Sequence, residues 1–257
     1  MQPIIYEQPL NERIRTFLRL EHLFQQIHAM YQGSTEWDNR AALAGLIEML
    51  NIFDRSDLKT ELVKEIDRFI LQLSKLQKNY QTDAQIDNSR LQSILEKLST
   101  QSTELQQMSG RMGQALRENE LITVVRQRLS IPGGTCNFDL PVYHHWLNQP
   151  DTVKHNTFHH WISALNPVEK TIALLLNLIR DSGYTESVIA QNGFFQKVLE
   201  THTPCQLVRV SLKTTAVFPE ISGSKHRISI RFLFSDHVNR PTQTDQEIPF
   251  SLTCCML

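Results

Sequence analysis

Basic side chains that are able to bind carboxylates occur at three places in this chain. On the first predicted helix, Arg15 and Arg19 lie one turn apart on a polar stripe. Two like charges at that spacing cost a few tenths of a kcal/mol in an isolated helix, so an anionic partner is one reason for the pair. A solvated helix face explains the same pattern without a partner.

The second basic group precedes a loop that ends a helix. Arg117, Arg126 and Arg128 stand before Pro132-Gly133-Gly134, and two acidic neighbours can neutralise part of their charge. Arginines near the carboxyl end of a helix also compensate its dipole. This group therefore indicates either an anion-binding surface or ordinary helix stabilisation.

The third group lies in the last third of the chain, where one acid, Glu220, stands between positions 206 and 234. The basic residues of that stretch are Arg209, Lys213, Lys225, Arg227 and Arg231. Arg227 and Arg231 share one face of a predicted strand, so a basic sheet surface is expected if that face is solvated. Guanidinium groups suit carboxylate binding because they bind it bidentately and stay charged.

Histidines offer an alternative function, a metal-dependent hydrolase. The candidate cluster is His144, His145, His155 and His159, with Cys136 nearby in sequence. His155 and His159 have the one-turn spacing of two metal ligands on a helix. No acid lies between them in the HExxH manner and no spaced cysteine pair completes a zinc set, so we expect surface or capping histidines, no metal and no cofactor.

Single-stranded nucleic-acid binding is a second alternative, with Phe232 and Phe234 beside the basic strand as stacking residues. Both alternate away from Arg231, which places them in the predicted core. The chain carries 26 basic and 27 acidic residues, so no overall field attracts it to nucleic acid or to an anionic membrane. We therefore expect neither as a partner.

Composition favours a cytoplasmic protein. The longest apolar run, Ile172 to Leu176, is far shorter than the roughly 20 residues of a membrane span. Charged residues interrupt the first twenty positions, which therefore do not resemble a signal peptide. The four cysteines lack the paired spacing of a disulfide framework, so reduced thiols are expected.

Hydrophobic periodicity predicts an α+β fold, a mainly helical bundle with a small antiparallel β domain formed largely by the C-terminal third. We expect residues 1–9 to contain a strand that joins the β domain, residues 10–182 to be helical, and residues 183–257 to form the β domain. Helices are predicted from Asn11, about Glu36, near Asp57, Asp87 or Asn88, beyond Gly113, around Trp161, and from Asn166 to Arg180. Strands are predicted at Ser187–Ala190, Phe194–Leu199, Leu207–Leu212, Arg227–Phe234 and Ile248–Leu252, with a hairpin turn at Asn192-Gly193.

Five segments, in order along the chain, carry a family resemblance. They are YEQPLNERIRTFLR at 6–19, VRQRLSIPGG at 125–134, FDLP at 138–141, ALNP at 164–167 and ISGSKHRISIRF at 221–232. Together they resemble the ZapD family, bacterial proteins associated with the FtsZ division ring. The VRQRLSIPGG string is long enough to be specific, whereas the helices between Tyr31 and Gln107 add little.

The resemblance implies a non-enzymatic homodimer that binds the conserved C-terminal tail of FtsZ. It also implies that the dimer cross-links FtsZ protofilaments into bundles at the midcell ring. By motif position, Arg15, Arg19, His144, Arg227 and Arg231 are expected in the basic binding surface. Glu120 stands where the family often has a basic residue, and Arg117 is expected to supply that charge instead. The full predicted set is Arg15, Arg19, Arg117, Arg128, His144, Lys225, Arg227 and Arg231.

Overall fold

The computed structural model describes residues 2–55, 57–79, 88–199, 204–224 and 226–256. The predicted α+β class is confirmed: helices fill the first two-thirds of these residues, and antiparallel sheets form mainly from the last third. The chain divides into two compact units. The helical unit is Leu18–Leu174, and the β-rich unit combines Met1–Phe17 with Leu175–Leu257.

The helices are α1 Glu12–Tyr31, α2 Glu36–Arg55, α3 Leu58–Asn79, α4 Asn88–Gln107, α5 Gln114–Arg117, α6 Glu120–Arg128, α7 Pro141–Leu147, α8 Asp151–Ser163 and α9 Asn166–Asp181. The strands are β1 Ile4–Pro9, β2 Gly183–Ala190, β3 Phe194–Val198, β4 Leu207–Leu212, β5 Phe218–Gly223, β6 Arg227–Phe234, β7 Thr242–Gln243 and β8 Ile248–Cys255. Among the described residues, no single helix is both long enough and apolar enough to span a membrane. Helices α8 and α9 meet these two criteria only when taken together, and that pair is bent by 63°.

Side-chain caps fix where several helices begin. The Asn11 side chain accepts a hydrogen bond from the Ile14 backbone N–H at 2.9 Å, and Asp57 accepts one from Thr60 at 3.3 Å. Both caps were predicted from the sequence, because Asn and Asp bind the unpaired N–H groups of a first helical turn. The alternative cap for α4, Asp87, lies outside the described residues.

Helix α2 separates a buried face from a polar one. Leu43, Leu46, Leu50 and Phe53 are each at most 3% exposed. Met49 is also buried, whereas Glu48, Asp54 and Arg55 of the last turns are exposed. The carboxyl end of α2 therefore presents polar residues to the surface.

The β-rich unit packs two sheets around one core. Their strand orders are β1-β4-β8-β2 and β3-β6-β5, with β7 paired to β6. Val210 and Leu252 of the first sheet share this core with Phe232 of the second. Phe234, which the alternation also places inside, is instead 51% exposed. It lies at the end of β6 opposite the exposed Thr242, beyond the reach of the core.

Strands β4 and β6 have the predicted bounds, whereas β5 was not predicted. Pro219 lies inside β5, and proline argues against a strand because it donates no ladder hydrogen bond. The strand tolerates it because β5 is at the edge of its sheet. Asn192 and Gly193 form the predicted turn with φ angles of 51° and 66°, but the flanking strands β2 and β3 enter different sheets.

Candidate protein-binding site

A cluster of arginines surrounds Asp54 in the last turn of α2. Arg126 Nη2 lies 2.5 Å from Asp54 Oδ2, Arg117 Nη1 binds Oδ1, and Arg111 Nη2 lies 3.5 Å from the same oxygen. Arg126 also donates to the Asn51 side-chain oxygen at 2.7 Å. Three guanidinium groups thus share one carboxylate, which leaves a formal charge of +2 on the cluster.

Two glycines bring the loop before α5 close to α2. Gly110 and Gly113 have φ angles of 72° and 71°, in the left-handed region that favours glycine. A Cβ atom on Gly113 would lie 2.8 Å from the Leu50 side chain, so the close approach also requires glycine. The sequence pattern indicated only an interruption here, and the structure shows that the interruption positions Arg111 and Arg117.

Asp54 is charged at neutral pH. The hydrogen bond from Arg126 has the largest effect on its pKa, and together with Arg117 it lowers the pKa below the usual value for aspartate, against a smaller opposing effect of burial. The carboxylate therefore remains an anion through the physiological range, and the arginines around it remain paired.

Open grooves adjoin this cluster. The first, of about 390 Å³, is lined by Arg19, His22, Leu23, Glu48, Asn51, Ile52 and Arg55. The second, of about 420 Å³, includes Asp54, Arg55, Asp57, Lys59 and Arg111, and the third, also about 420 Å³, includes Arg117, Arg126, Gln127 and Ser130. Arg55 lines two grooves, and the Arg126–Asn51 hydrogen bond links the third groove to the first.

We call this region the α2 cationic surface, defined by Arg19, His22, Arg55, Lys59, Arg111, Arg117 and Arg126. With His22 neutral, its six cations exceed the three acids Glu48, Asp54 and Asp57 by three charges. The structure therefore brings together Arg19 and Arg117, two of the predicted site residues. Arg55 was missed by sequence reasoning, although Glu48, Asn51 and Arg55 follow the spacing of a polar helix face opposite Leu46 and Leu50.

Two further predicted residues of the helical unit lie elsewhere. Arg128 is exposed at the end of α6. His144 lines a separate groove of about 480 Å³ with Asn137, Phe138, Pro141, His145 and Asn148. No residue lining the grooves of the α2 cationic surface lines this one, and Phe138 at 79% exposure makes its wall apolar.

In the β-rich unit, Arg227 and Arg231 are exposed on one face of β6. Their neighbours on β3 are Val198 and Phe194, which are 74% and 42% exposed. Arg231 also pairs with Glu220 at 2.5 Å, and both side chains are more than half exposed. This face thus combines exposed cations with exposed apolar side chains, while Lys225 lies outside the described residues.

Arg15 and Arg209, the other two candidate arginines of the β-rich unit, each pair with an acid. Arg15 lies 3.1 Å from Glu12 on the same helix, with 40% of its side chain exposed. Arg209 was counted in the third basic group, but its Nε lies 2.9 Å from Glu7 Oε1 and it is 26% exposed. Arg209 therefore belongs to a partly buried ion pair and contributes little to a basic surface.

The histidines proposed as a metal-binding cluster make separate contacts. His155 packs edge-on against Tyr31 with ring centroids 6.3 Å apart, and the His145 ring lies 3.0 Å from the Gln149 amide. In the part of the chain that the structure describes, no group of three or more His, Cys, Asp and Glu side chains is placed to hold a metal ion. Cys136 Sγ lies 3.4 Å from Asp139.

The chain is similar to known cell division proteins over its whole length. The family model described as ZapD, a cell division protein, matches residues 18–231. A protein named cell division protein ZapD from Methylococcus capsulatus is 44% identical over 255 residues, covering 99% of this chain and 98% of its own. Proteins of the same name from Aromatoleum aromaticum and Coxiella burnetii are each 38% identical, covering at least 99% of this chain and at least 98% of their own.

Proposed function

Because the chain belongs to the ZapD family of cell division proteins, we propose that it binds the C-terminal tail of FtsZ through the α2 cationic surface. As a homodimer in the cytoplasm it cross-links FtsZ protofilaments and stabilises the division ring at midcell. It needs no cofactor, performs no catalysis, and has no nucleic-acid or membrane partner. The observation that carries this proposal is the excess of three positive charges around the last turn of α2.

The chemistry of these grooves suits an extended acidic peptide. Guanidinium groups hold carboxylates through short, charge-assisted hydrogen bonds. In the groove of Arg19 and Arg55, the apolar residues Leu23 and Ile52 lie beside the cations. A tail residue with an apolar side chain therefore has an anchor next to the charged contacts, as in other peptide-recognition sites.

The outer face of β6 supplies a second contact region of the same character. Arg227 and Arg231 lie there directly opposite the exposed Val198 and Phe194 of β3. Such a surface accepts an extended segment in which every second residue faces the sheet and these residues include both acidic and apolar side chains. We therefore propose Arg227 and Arg231 as contacts to FtsZ, together with the remaining predicted residues Arg15, Arg128, His144 and Lys225.

Cross-linking requires two sites in one particle. A two-fold dimer presents two identical sites. Linking two weak sites raises the apparent affinity by roughly 10²- to 10⁴-fold when both can bind at once. A monomer binds tails but bridges no filaments.

Sedimentation of FtsZ polymers tests this function. At low centrifugal force, single filaments stay in solution and bundles pellet. We expect the protein to pellet polymers of full-length FtsZ and to leave polymers of tail-deleted FtsZ in solution. Equal pelleting of the two FtsZ forms would show that the tail is not what the protein binds.

A separate mass measurement keeps dimerisation distinct from tail binding. Light scattering should report about twice the chain mass of 29.8 kDa. If the protein has the mass of one chain and binds the tail without pelleting FtsZ, the proposed tail binding stands and the proposed cross-linking is wrong.

A further inference from the structure

Asp54 is the acid at the centre of the α2 cationic surface. Its two oxygens contact Arg111, Arg117 and Arg126, and it also lines the groove that contains Arg55 and Lys59. The group it presents to these arginines is a carboxylate, the same group that an acidic ligand would present. The position that suits a ligand carboxylate best is thus filled by the protein itself.

We propose that Asp54 is an internal competitor that an acidic ligand must displace, and that it makes the surface selective for ligands with more than one carboxylate. This inference rests on the proposed function, since it concerns how the same surface recognises an acidic tail. Asp54 is therefore a specificity-determining residue of the site.

The geometry makes displacement feasible. The Asp54 side chain is 29% exposed and lies at the rim of the grooves, where a ligand can reach it. Arg111 has the longest contact, at 3.5 Å, and is 63% exposed. Arg111 therefore loses the least interaction energy when it turns from Asp54 to a ligand carboxylate, so we expect the displacement of Asp54 to begin at Arg111.

The charge balance gives the selectivity. A ligand with one carboxylate that replaces Asp54 exchanges one ion pair for another and gains little. A ligand with two or more also compensates the charge of +2 that Asp54 leaves on Arg111, Arg117 and Arg126. Clustered acids are therefore favoured over isolated ones, as expected where specificity is a difference between competing interactions.

Asp57 provides a matched control in the same groove. Its carboxylate accepts hydrogen bonds from the Thr60 hydroxyl at 2.6 Å and the Thr60 backbone N–H at 3.3 Å. Asp57→Asn removes the same charge from the same groove, and Asn remains a good helix cap. It lowers the local negative charge without freeing the three arginines.

The test measures fluorescence anisotropy with two probes, a labelled tetraglutamate peptide and a labelled FtsZ tail peptide. We expect Asp54→Asn to bind tetraglutamate about tenfold more tightly than the unsubstituted protein, because one charge-assisted contact no longer competes. We expect Asp57→Asn to stay within about twofold, the range of a general charge effect. Circular dichroism and thermal unfolding test whether each variant is folded. If Asp54→Asn does not fold, Asp54→Ser takes its place.

The inference is wrong if Asp54→Asn and Asp57→Asn bind tetraglutamate with the same affinity. It is also wrong if Asp54→Asn binds tetraglutamate more weakly than the unsubstituted protein does. The weaker result would mean that Asp54 holds the arginines in place for the ligand. If the FtsZ tail fails to bind any variant while tetraglutamate still separates Asp54→Asn from Asp57→Asn, the proposed function fails and the inference stands.

Discussion

The paired substitution Arg19→Ala and Arg55→Ala is expected to weaken binding of the FtsZ tail about 100-fold and to prevent pelleting of FtsZ bundles. Both side chains are exposed and line one groove with Leu23 and Ile52. A hydrogen bond to a charged group contributes about 1.5 kcal/mol, so the loss of two contributes about 3 kcal/mol, or roughly two powers of ten. The measurement is a titration of labelled tail peptide, followed by sedimentation with FtsZ.

The control for this variant is Lys75→Ala with Lys97→Ala. These lysines are exposed on α3 and α4, so their removal changes the charge of the helical unit by the same amount away from the grooves. We expect less than about a threefold change in affinity, because exposed charges more than a Debye length apart are largely screened at physiological salt. An equal loss in both paired variants would mean that net charge, and not this groove, determines binding.

Replacing Glu7 by glutamine is expected to lower the free energy of unfolding of the β-rich unit by about 3 kcal/mol. Arg180 binds Glu7 through two hydrogen bonds of 2.9 and 2.8 Å, and Arg209 Nε lies 2.9 Å from it. All three side chains are at most 26% exposed. Without the carboxylate, two partly buried guanidinium groups face each other uncompensated. Chemical unfolding followed by circular dichroism measures the difference.

The pH dependence has a defined sign. Burial opposes ionisation of Glu7, but Arg180 and Arg209 outweigh it and lower its pKa below 4.5. Because the folded-state pKa is lowered, the stabilisation is present above the unfolded-state value and is lost as the pH falls through the lower folded-state value. The difference between the unsubstituted protein and Glu7→Gln should therefore shrink in acid.

Glu220→Gln is the comparison for Glu7→Gln within the same unit. Glu220 pairs with Arg231, but their side chains are 54% and 56% exposed. Exposed ion pairs contribute about 1 kcal/mol or less. A loss of stability in Glu7→Gln no larger than in Glu220→Gln would contradict the assignment of Glu7 as a structural anion.

Local signals in the sequence predicted much of the fold. Asn11 and Asp57 cap helices because their side chains reach unpaired N–H groups close in sequence. The strand Arg227–Phe234 follows from alternation alone, although Phe234 lies beyond the core that the pattern implies. These features depend on neighbouring residues, which a single sequence displays.

The candidate site depends on contacts that a single sequence does not display. Arg117 of α5 and Arg126 of α6 meet Asp54 of α2, and nothing in their spacing pairs them with that acid. The sequence alone indicates a surface cation at Arg209, because it does not show that Glu7 lies beside Arg209 on the neighbouring strand. The polar stripe of the first helix and the motif resemblance both indicated Arg19. Arg55 could be assigned only from the structure, in which α1 and α2 line one groove.

We propose that carboxylates of the FtsZ tail contact Arg55 and its neighbours on the α2 cationic surface, and a charge-exchange titration tests this contact most directly. Arg55→Glu and the unsubstituted protein are each titrated with the tail peptide and with variants in which each acidic residue in turn becomes lysine. We expect one lysine variant to bind Arg55→Glu more tightly than the natural tail does, and to bind the unsubstituted protein more weakly. If every peptide shows the same ratio of affinities for the two proteins, Arg55 does not contact an acidic residue of the tail.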